Sequence, residues 1–464
     1  MKLINISKLL IALSLVAAAS CGKRLDVEPR QSIDATNALE NDDDVDAAMV
    51  GAYSIMGGPQ LYGTSLMLDG DLLGSYFPST EQYASWAGTF PAQRQVGRKQ
   101  MDRNNSEVAR VWTAGYRAIN MANTVIDALG VVKDADLKSQ LNGEALFVRG
   151  IMHFELVRLF AKPWGFTANN TQLGIVIKKT ATKTEDQAFE KLPRNTVAEV
   201  YTSVIQDLKD AAGLLPETNG TRASKYTALA FLARVYLQQG DYVNARNAAS
   251  EVIESGNYKM NASVRAAFDN KNTPESIFEI QQNDQNNAGT ANDGMATFYA
   301  SLNGVGRGDV RISSAFVNSY NSADLRQSEW YYVGIGNRPG FLYCSKWKTF
   351  SQNLPVVRIA EMYLIRAECN IRLSTSVGDT PANDLAEVRN PVRVNLATIA
   401  APTLTNVLNE RAYELAFEGY RIHEAKRLKA SFGTYTWSDD VLVFPIPQRE
   451  IDATDGILVQ NSGY

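Results

Sequence analysis

The chain has 464 residues, with 46 Lys+Arg against 50 Asp+Glu and a formal net charge of −4. That balance excludes the basic face that nucleic acid or an anionic membrane surface requires. Two His and three Cys leave little for a histidine metal site or a disulfide framework, and 45% hydrophobic residues mark a globular chain able to bury a large core.

Lys2 and Lys8 precede an apolar run, Leu9 to Ala19, that closes on Ala18-Ala19-Ser20-Cys21. A charged start, a short apolar stretch and small residues before a cleavage point describe a secretory signal peptide over 1–20. The run falls short of the roughly 20 residues a spanning helix needs. Its ending resembles the lipobox of bacterial lipoproteins, with Ala18 where Leu is usual. Cys21 is then expected to become the acylated first residue of an otherwise soluble mature chain. Residues 21–40 are polar, lack core periodicity and read as a tether.

Asn41-Asp42-Asp43-Asp44 supplies N-cap side chains for a helix beginning near Val45. From Gly57 to about Asn105 the text is irregular. Val108, Val111, Trp112, Ile119, Val125 and Ile126 then mark the apolar face of a helix from Ser106. Gly143 to Phe160 is a second helix, stopped by Pro163. Thr196 to Leu215 is a third, with Asn195 as N-cap and Pro216 past its end. Tyr226 to Gly256 has the tetratricopeptide spacing: Leu232, Ala233, Tyr236, Gly240, Tyr242 and Ala245 set two antiparallel helices meeting at small residues. One such unit cannot bury its own faces, so neighbouring helix pairs should stack on it; Val357 to Leu373 is a later candidate.

Beyond residue 261 the character changes. Ser276 to Ile280 is strand-like, Gln281 to Asn287 is an amide-rich loop, and eleven aromatics fall between Phe298 and Phe350. Helical text returns from Pro355, and Asn406 to Ala430 reads as one long amphipathic helix. Val443-Phe444-Pro445-Ile446-Pro447 is extended, since each Pro restricts itself and the residue before it. The expected fold is mainly α: stacked tetratricopeptide-like helix pairs carrying an irregular, loop- and aromatic-rich portion.

The order of segments resembles the SusD/RagB family of outer-membrane lipoproteins of Bacteroidetes. It is carried by LDVEP after Cys21, GEALFVRGIMHFELVRLFAKPWG, LPRNTVAEVYTSVIQDLKDAAGLLP, RASKYTALAFLARVYLQQGDY and ESIFEIQ. PVVRIAEMYLIRAECNIRL, NERAYELAFEGYRIHEAKRLK, FPIPQREI and LVQNSGY follow. The resemblance implies a helical N-terminal region over 41–260 and a C-terminal region over 261–464 with a variable insertion at 281–350. It also implies a non-catalytic protein without cofactor or metal. Such a protein captures oligo- or polysaccharide, less often peptide, at the outer membrane and delivers it to a SusC-like TonB-dependent β-barrel. The acidic stretch that follows the lipid Cys in surface-exported relatives is replaced here by Gly22-Lys23-Arg24.

Holding a sugar without cleaving it needs flat apolar faces for its C–H side and amides or guanidinium groups for its hydroxyls. Two segments have that vocabulary. Tyr76, Tyr83, Trp86 and Phe90 lie in a Ser/Gly-rich loop; Trp330, Tyr331 and Tyr332 sit beside Arg326 and Glu329, with Asn283 and Asn286 upstream. Consecutive rings on an extended strand alternate in direction, so one of the three is expected to face outward. A surface glycoside hydrolase is one rival, but it needs two carboxylates across a cleft and nothing singles out a pair. A tetratricopeptide scaffold that binds no ligand is the other. His153 and His423 read as core or surface residues. Glu144 with Arg149, and Glu410, Arg411, Glu414, Glu418 and Arg421, read as ion pairs at helical spacing. Gly304-x-Gly306-x-Gly308 reads as a loop, and Asp284 to Met295 fails the calcium-loop pattern for want of its third ligand and its closing Glu. Cys344 and Cys369 are either buried thiols or one disulfide.

Overall fold

A computed structural model of the protein describes residues 39–75 and 83–464. The expected signal peptide, Cys21, most of the expected tether and Tyr76 lie outside the described residues. Among those described, no helix is long and apolar enough to cross a membrane.

Helix α1 (Asp42–Met56) begins as expected, with the Asn41 side chain accepting from the Asp44 N–H. The irregular stretch after it contains two helices, α2 (Ser65–Leu73) and α3 (Pro91–Arg98). All nine residues of α2 are buried, Asp69 and Asp71 included. A helix covered on every side has no polar face, and so shows no 3.6-residue period. Helix α4 (Ser106–Ala128) is capped by Asn105, and α5 (Ala135–Phe160) starts eight residues before the expected Gly143 because Asp134 caps it. Helix α6 (Val197–Leu214) is capped by Thr196 in a reciprocal box with Glu199. Asn195, the expected cap, instead accepts from the Ile177 N–H at 3.0 Å. The tetratricopeptide unit is α7 (Lys225–Gln239) and α8 (Tyr242–Glu254). Gly240 (φ 76°) closes the first and Asp241 caps the second.

These helices neighbour one another in chain order, α1 on α4, α4 on α5, and so on to α8. Small residues bring them close: a Cβ on Gly143 would sit 2.8 Å from Leu215 Cγ. The next helix against α8 is α11 (Ile359–Leu373), about a hundred residues further on, followed by α12 (Pro381–Val388) and α13 (Leu404–Glu414). The segment between α8 and α11 therefore leaves the stack and returns to it. Its neck is an antiparallel pair in which β2 (Ser276–Ile280) lies beside β6 (Leu354–Arg358), Ile280 opposite Leu354. Residues 355–358, expected as helix, are the second half of that pair. Inside the excursion lie α9 (Met295–Tyr299), β3 (Val310–Ile312), α10 (Leu325–Glu329), β4 (Tyr331–Val333) and β5 (Leu342–Cys344).

Buried charges fasten the excursion to the stack. Arg358 is 1% exposed and pairs with Glu275, Glu414 (2.9 Å) and Glu418 (2.7 Å). Arg326, fully buried, binds Asp324 and Glu414 at 2.9 Å, and Arg393 reaches Glu414 at 2.7 Å. Burial alone would raise the Glu414 pKa, but Arg393, Arg358 and Arg326 outweigh it and hold the carboxyl well below its usual range. The expected i,i+4 pairings are thus replaced by pairs between elements. Likewise Glu144 meets Arg222 (2.6 Å) and Arg149 meets Asp207 (2.7 Å).

The long helix expected over 406–430 is broken. It ends at Glu414, turns through Phe417 (φ 62°) and Gly419 (φ 85°), and resumes as α14 (Arg421–Arg427). The turn lies on α2, where a Cβ on Gly70 would run into the Gly419 backbone. His153 and His423 are core residues, 0% and 3% exposed. Cys344 and Cys369 are free and buried.

Candidate functional site

A short ribbon joins the first aromatic segment to the excursion. Strand β1 (Ala84–Trp86) pairs antiparallel with β3, Trp86 opposite Val310 and Ser85 opposite Arg311. The ladder continues at both ends, through Ser313 N–H to Tyr83 C=O (3.2 Å) and Ala87 N–H to Asp309 C=O (2.6 Å). Residues 83–87 are thereby tied to the excursion by backbone, which leaves their side chains to face either way.

Trp86 is half-buried. Its ring packs edge-on against Phe298 at 5.3 Å, and its indole N–H has no hydrogen-bond partner among the described residues. Phe90, also half-buried, stands 6.2 Å from Phe298 and carries the Arg307 guanidinium 4.4 Å over its ring. Arg307 is steadied by Asp309 (3.1 Å) and Thr89 Oγ1 (3.2 Å). Asp309 also faces Arg338 at 3.5 Å. Burial raises its pKa, and the two arginines oppose that rise. Arg311 stacks 3.4 Å over the ring of Phe341, a residue 43% exposed. Asn337, exposed, donates to the Gly306 carbonyl at 2.8 Å.

The ribbon end therefore combines three accessible rings, Trp86, Phe90 and Phe341, with the guanidinium groups of Arg307, Arg311 and Arg338. Two of the rings have an arginine laid over them, which fixes ring and guanidinium together. Its one buried carboxylate, Asp309, is engaged by two arginines. Such a surface can hold a hydroxylated ligand by stacking and hydrogen bonding.

Three of the expected rings are core residues. Trp330 is 1% exposed; its N–H donates to the Val264 carbonyl (2.9 Å) and Lys346 Nζ lies 3.8 Å from its ring centroid. It is the C-cap of α10, so the strand alternation that was to turn a ring outward starts only at Tyr331. Tyr331 is 6% exposed and shares a 2.9 Å hydrogen bond with the Tyr320 hydroxyl. Tyr83 is 4% exposed, stacked on Phe417 at 4.3 Å, with its hydroxyl accepting from the Phe417 N–H at 2.6 Å. Tyr332 is half-buried, and its hydroxyl accepts from the Ser301 N–H at 2.9 Å.

Asn283 and Asn286 are exposed, and neither lines the ribbon end. Asn283 Oδ1 accepts from the Gln285 and Asn286 N–H groups, folding the loop on itself, and Asn286 lines a separate cleft. Sequence reasoning did not single out Arg307, Arg311, Arg338 and Phe341. The spacing Arg307-x-Asp309-x-Arg311 across a strand start was their only signal.

Comparison with known proteins agrees with this architecture. Residues 23–237 match a family profile described as SusD-like, starch-binding associating with outer membrane, and residues 343–441 match the profile of the SusD family. "SusD-like protein P2" of Formosa agariphila is 27% identical over 490 residues, covering 91% of this chain and 92% of that relative. A SusD superfamily protein from Bacteroides vulgatus is 25% identical, with a TM-score of 0.78 over 92% of this chain and 99% of its own. A laminarin-binding SusD-like protein shares the fold, with a TM-score of 0.75 at 20% identity, over 92% of this chain and all of the other. The two profiles together span more than half of the sequence and bracket the excursion that carries the ribbon: the chain belongs to the SusD/RagB family.

Proposed function

We propose that the protein is a glycan-capture lipoprotein of the outer membrane, anchored through Cys21, that holds oligo- or polysaccharide at the ribbon end and passes it to a SusC-like TonB-dependent transporter. The observation that carries this reading is half-buried Trp86 beside half-buried Phe90, with Arg307 laid over the Phe90 ring and held by the buried Asp309 carboxylate. Rings cover the C–H face of a pyranose, while guanidinium groups and the Asn337 amide meet its hydroxyls. The match to a starch-binding family profile and the likeness to a laminarin-binding protein support a carbohydrate ligand. Capture and hand-over need no covalent step.

Affinity gels containing starch or laminarin test the reading directly. The protein is expected to be retarded in at least one, with retardation lost in Trp86→Ala. Free migration in both gels, or retardation that survives Trp86→Ala and Phe90→Ala, would overturn it. Prolonged incubation of the retarding glycan with the protein is expected to release no reducing ends; product formation would favour the hydrolase reading.

A further inference from the structure

The charges at the ribbon end do not balance. Asp309 is buried, and Arg307 (3.1 Å) and Arg338 (3.5 Å) both face it. Arg311 follows two residues along the same chain segment, opposite Ser85. Arg94 reaches this corner from helix α3: its Nη2 donates to the Gly88 carbonyl at 2.8 Å, and a Cβ on Gly88 would sit 2.6 Å from Asp309 Cγ. Among the described residues, neither Arg94 nor Arg311 pairs with a carboxylate, and Arg307 and Arg338 have Asp309 alone. Four guanidinium groups therefore gather about one carboxylate, in a chain whose net charge is −4.

Water solvates the excess charge in the free protein: the Arg307 and Arg338 side chains keep 22% and 28% of their surface exposed, and Arg94 and Arg311 are half-buried. A sugar laid on the rings removes part of that water, because Arg307 lies 4.4 Å over Phe90 and Arg311 lies 3.4 Å over Phe341. A hydroxyl accepts a hydrogen bond from a guanidinium but leaves its charge uncompensated. A carboxylate or sulfate supplies both acceptor oxygens and the opposite charge, and a guanidinium can hold it with two parallel bonds. The net negative charge of the chain repels polyanions in general, so any attraction must come from this corner.

We propose, resting on the capture reading above, that the ribbon end prefers an acidic glycan, one whose sugar rings carry carboxylate or sulfate groups, to its neutral counterpart. Trp86, Phe90 and Phe341 take the C–H faces of the rings. The oxyanions go to Arg94 and Arg311, the two arginines that have no carboxylate of their own among the described residues. This corner thus sets the specificity of the site as well as its affinity.

The test compares whichever of starch and laminarin retards the mature full chain in an affinity gel with the carboxymethylated and sulfated derivatives of that same polymer. At least one derivative is expected to bind about three- to tenfold more tightly than the parent. The advantage should shrink as sodium chloride is raised from about 0.05 M to about 0.5 M. A gain with one derivative alone supports the proposal and names the oxyanion. Arg94→Gln and Arg311→Gln should each lower the derivative-to-parent ratio, and circular dichroism checks that both variants are folded. The proposal is overturned if the parent binds at least as tightly as both derivatives, or if the ratio is unchanged in both folded arginine variants. In either case retardation by the parent leaves the capture reading standing. If neither starch nor laminarin retards the protein, the capture reading falls and the preference falls with it.

Discussion

The helix stack and the excursion between α8 and α11 are held by different forces. In the stack, helices neighbour their sequence neighbours, and apolar burial with small residues at the crossings sets the spacing. In the excursion the strands are two to a sheet, and the anchoring groups are arginines, carboxylates and large rings from distant positions. Local grammar suffices for the first. The second depends on partners that only the fold brings together, and so a change of the same chemical kind should have different effects in the two regions.

Trp330→Ala gives the largest contrast. The ring is buried beneath the excursion, so its removal should cost about 3–5 kcal/mol of stability, read as a drop in the denaturant midpoint. Ligand binding by the folded fraction should be unaffected. Arg358→Ala belongs beside it: Glu275, Glu414 and Glu418 would each lose a buried partner, at a cost of about 3–5 kcal/mol. If either variant unfolds at the native midpoint, the excursion is not held as described.

The pH dependence of the contact between α2 and the 415–419 turn comes next. Asp71 is fully buried and accepts from the Tyr299 hydroxyl (3.0 Å) and the Gly419 N–H (3.3 Å). Burial pushes its pKa up to about 7 from an ordinary 3.8, with Glu418 adding to the rise and Lys346 opposing it. A raised carboxyl stabilises the fold in its protonated form. Its contribution is complete below about 3.8 and is lost as pH climbs through about 7. Asp71→Asn keeps a neutral acceptor there. Its melting temperature relative to the native protein should therefore rise between pH 5 and pH 8, by an amount equivalent to a few kcal/mol. A difference that is flat with pH would remove Asp71 as the titrating group.

Trp86→Ala reverses the Trp330 pattern. It should weaken glycan binding by about 1–3 kcal/mol, measured by calorimetry, with a smaller loss of stability because the ring is half-buried. The smallest effect falls in the stack. Thr196→Ala removes the cap of α6 and should cost about 1 kcal/mol without altering binding.

The stack was largely legible in the sequence because its signals are local. Asn41, Gly240 and Asp241 act at the ends where their side chains or backbone freedom predict. The same locality explains the errors. Two neighbouring residues, Asn195 and Thr196, both have capping side chains, and only the Ile177 N–H decides which is free to cap. Helix α2 carries no period because every side is covered. The text over 406–430 keeps its period through a turn imposed by contact with Gly70. In the excursion, ring clustering did not distinguish buried rings from half-buried ones. Trp86 and Trp330 look alike in sequence; what separates them is a carbonyl at Val264 and an amine at Lys346, both remote in the chain.

The neck of the excursion bears on how such a surface can change. Ile280 and Leu354 are register partners, so the chain leaves and re-enters the stack within one strand spacing, about 5 Å. Once those ends are joined, the entropy of closing the loop between them grows only with the logarithm of its length, and doubling it costs about 0.6 kcal/mol. The closure entropy that the stack must meet is thus nearly indifferent to how much chain is hung above the neck. A longer excursion with a different set of rings could be exchanged at Ile280 and Leu354 at little entropic cost, provided that it still supplies Glu414 and Glu418 with the buried partners that Arg326 and Lys346 provide here.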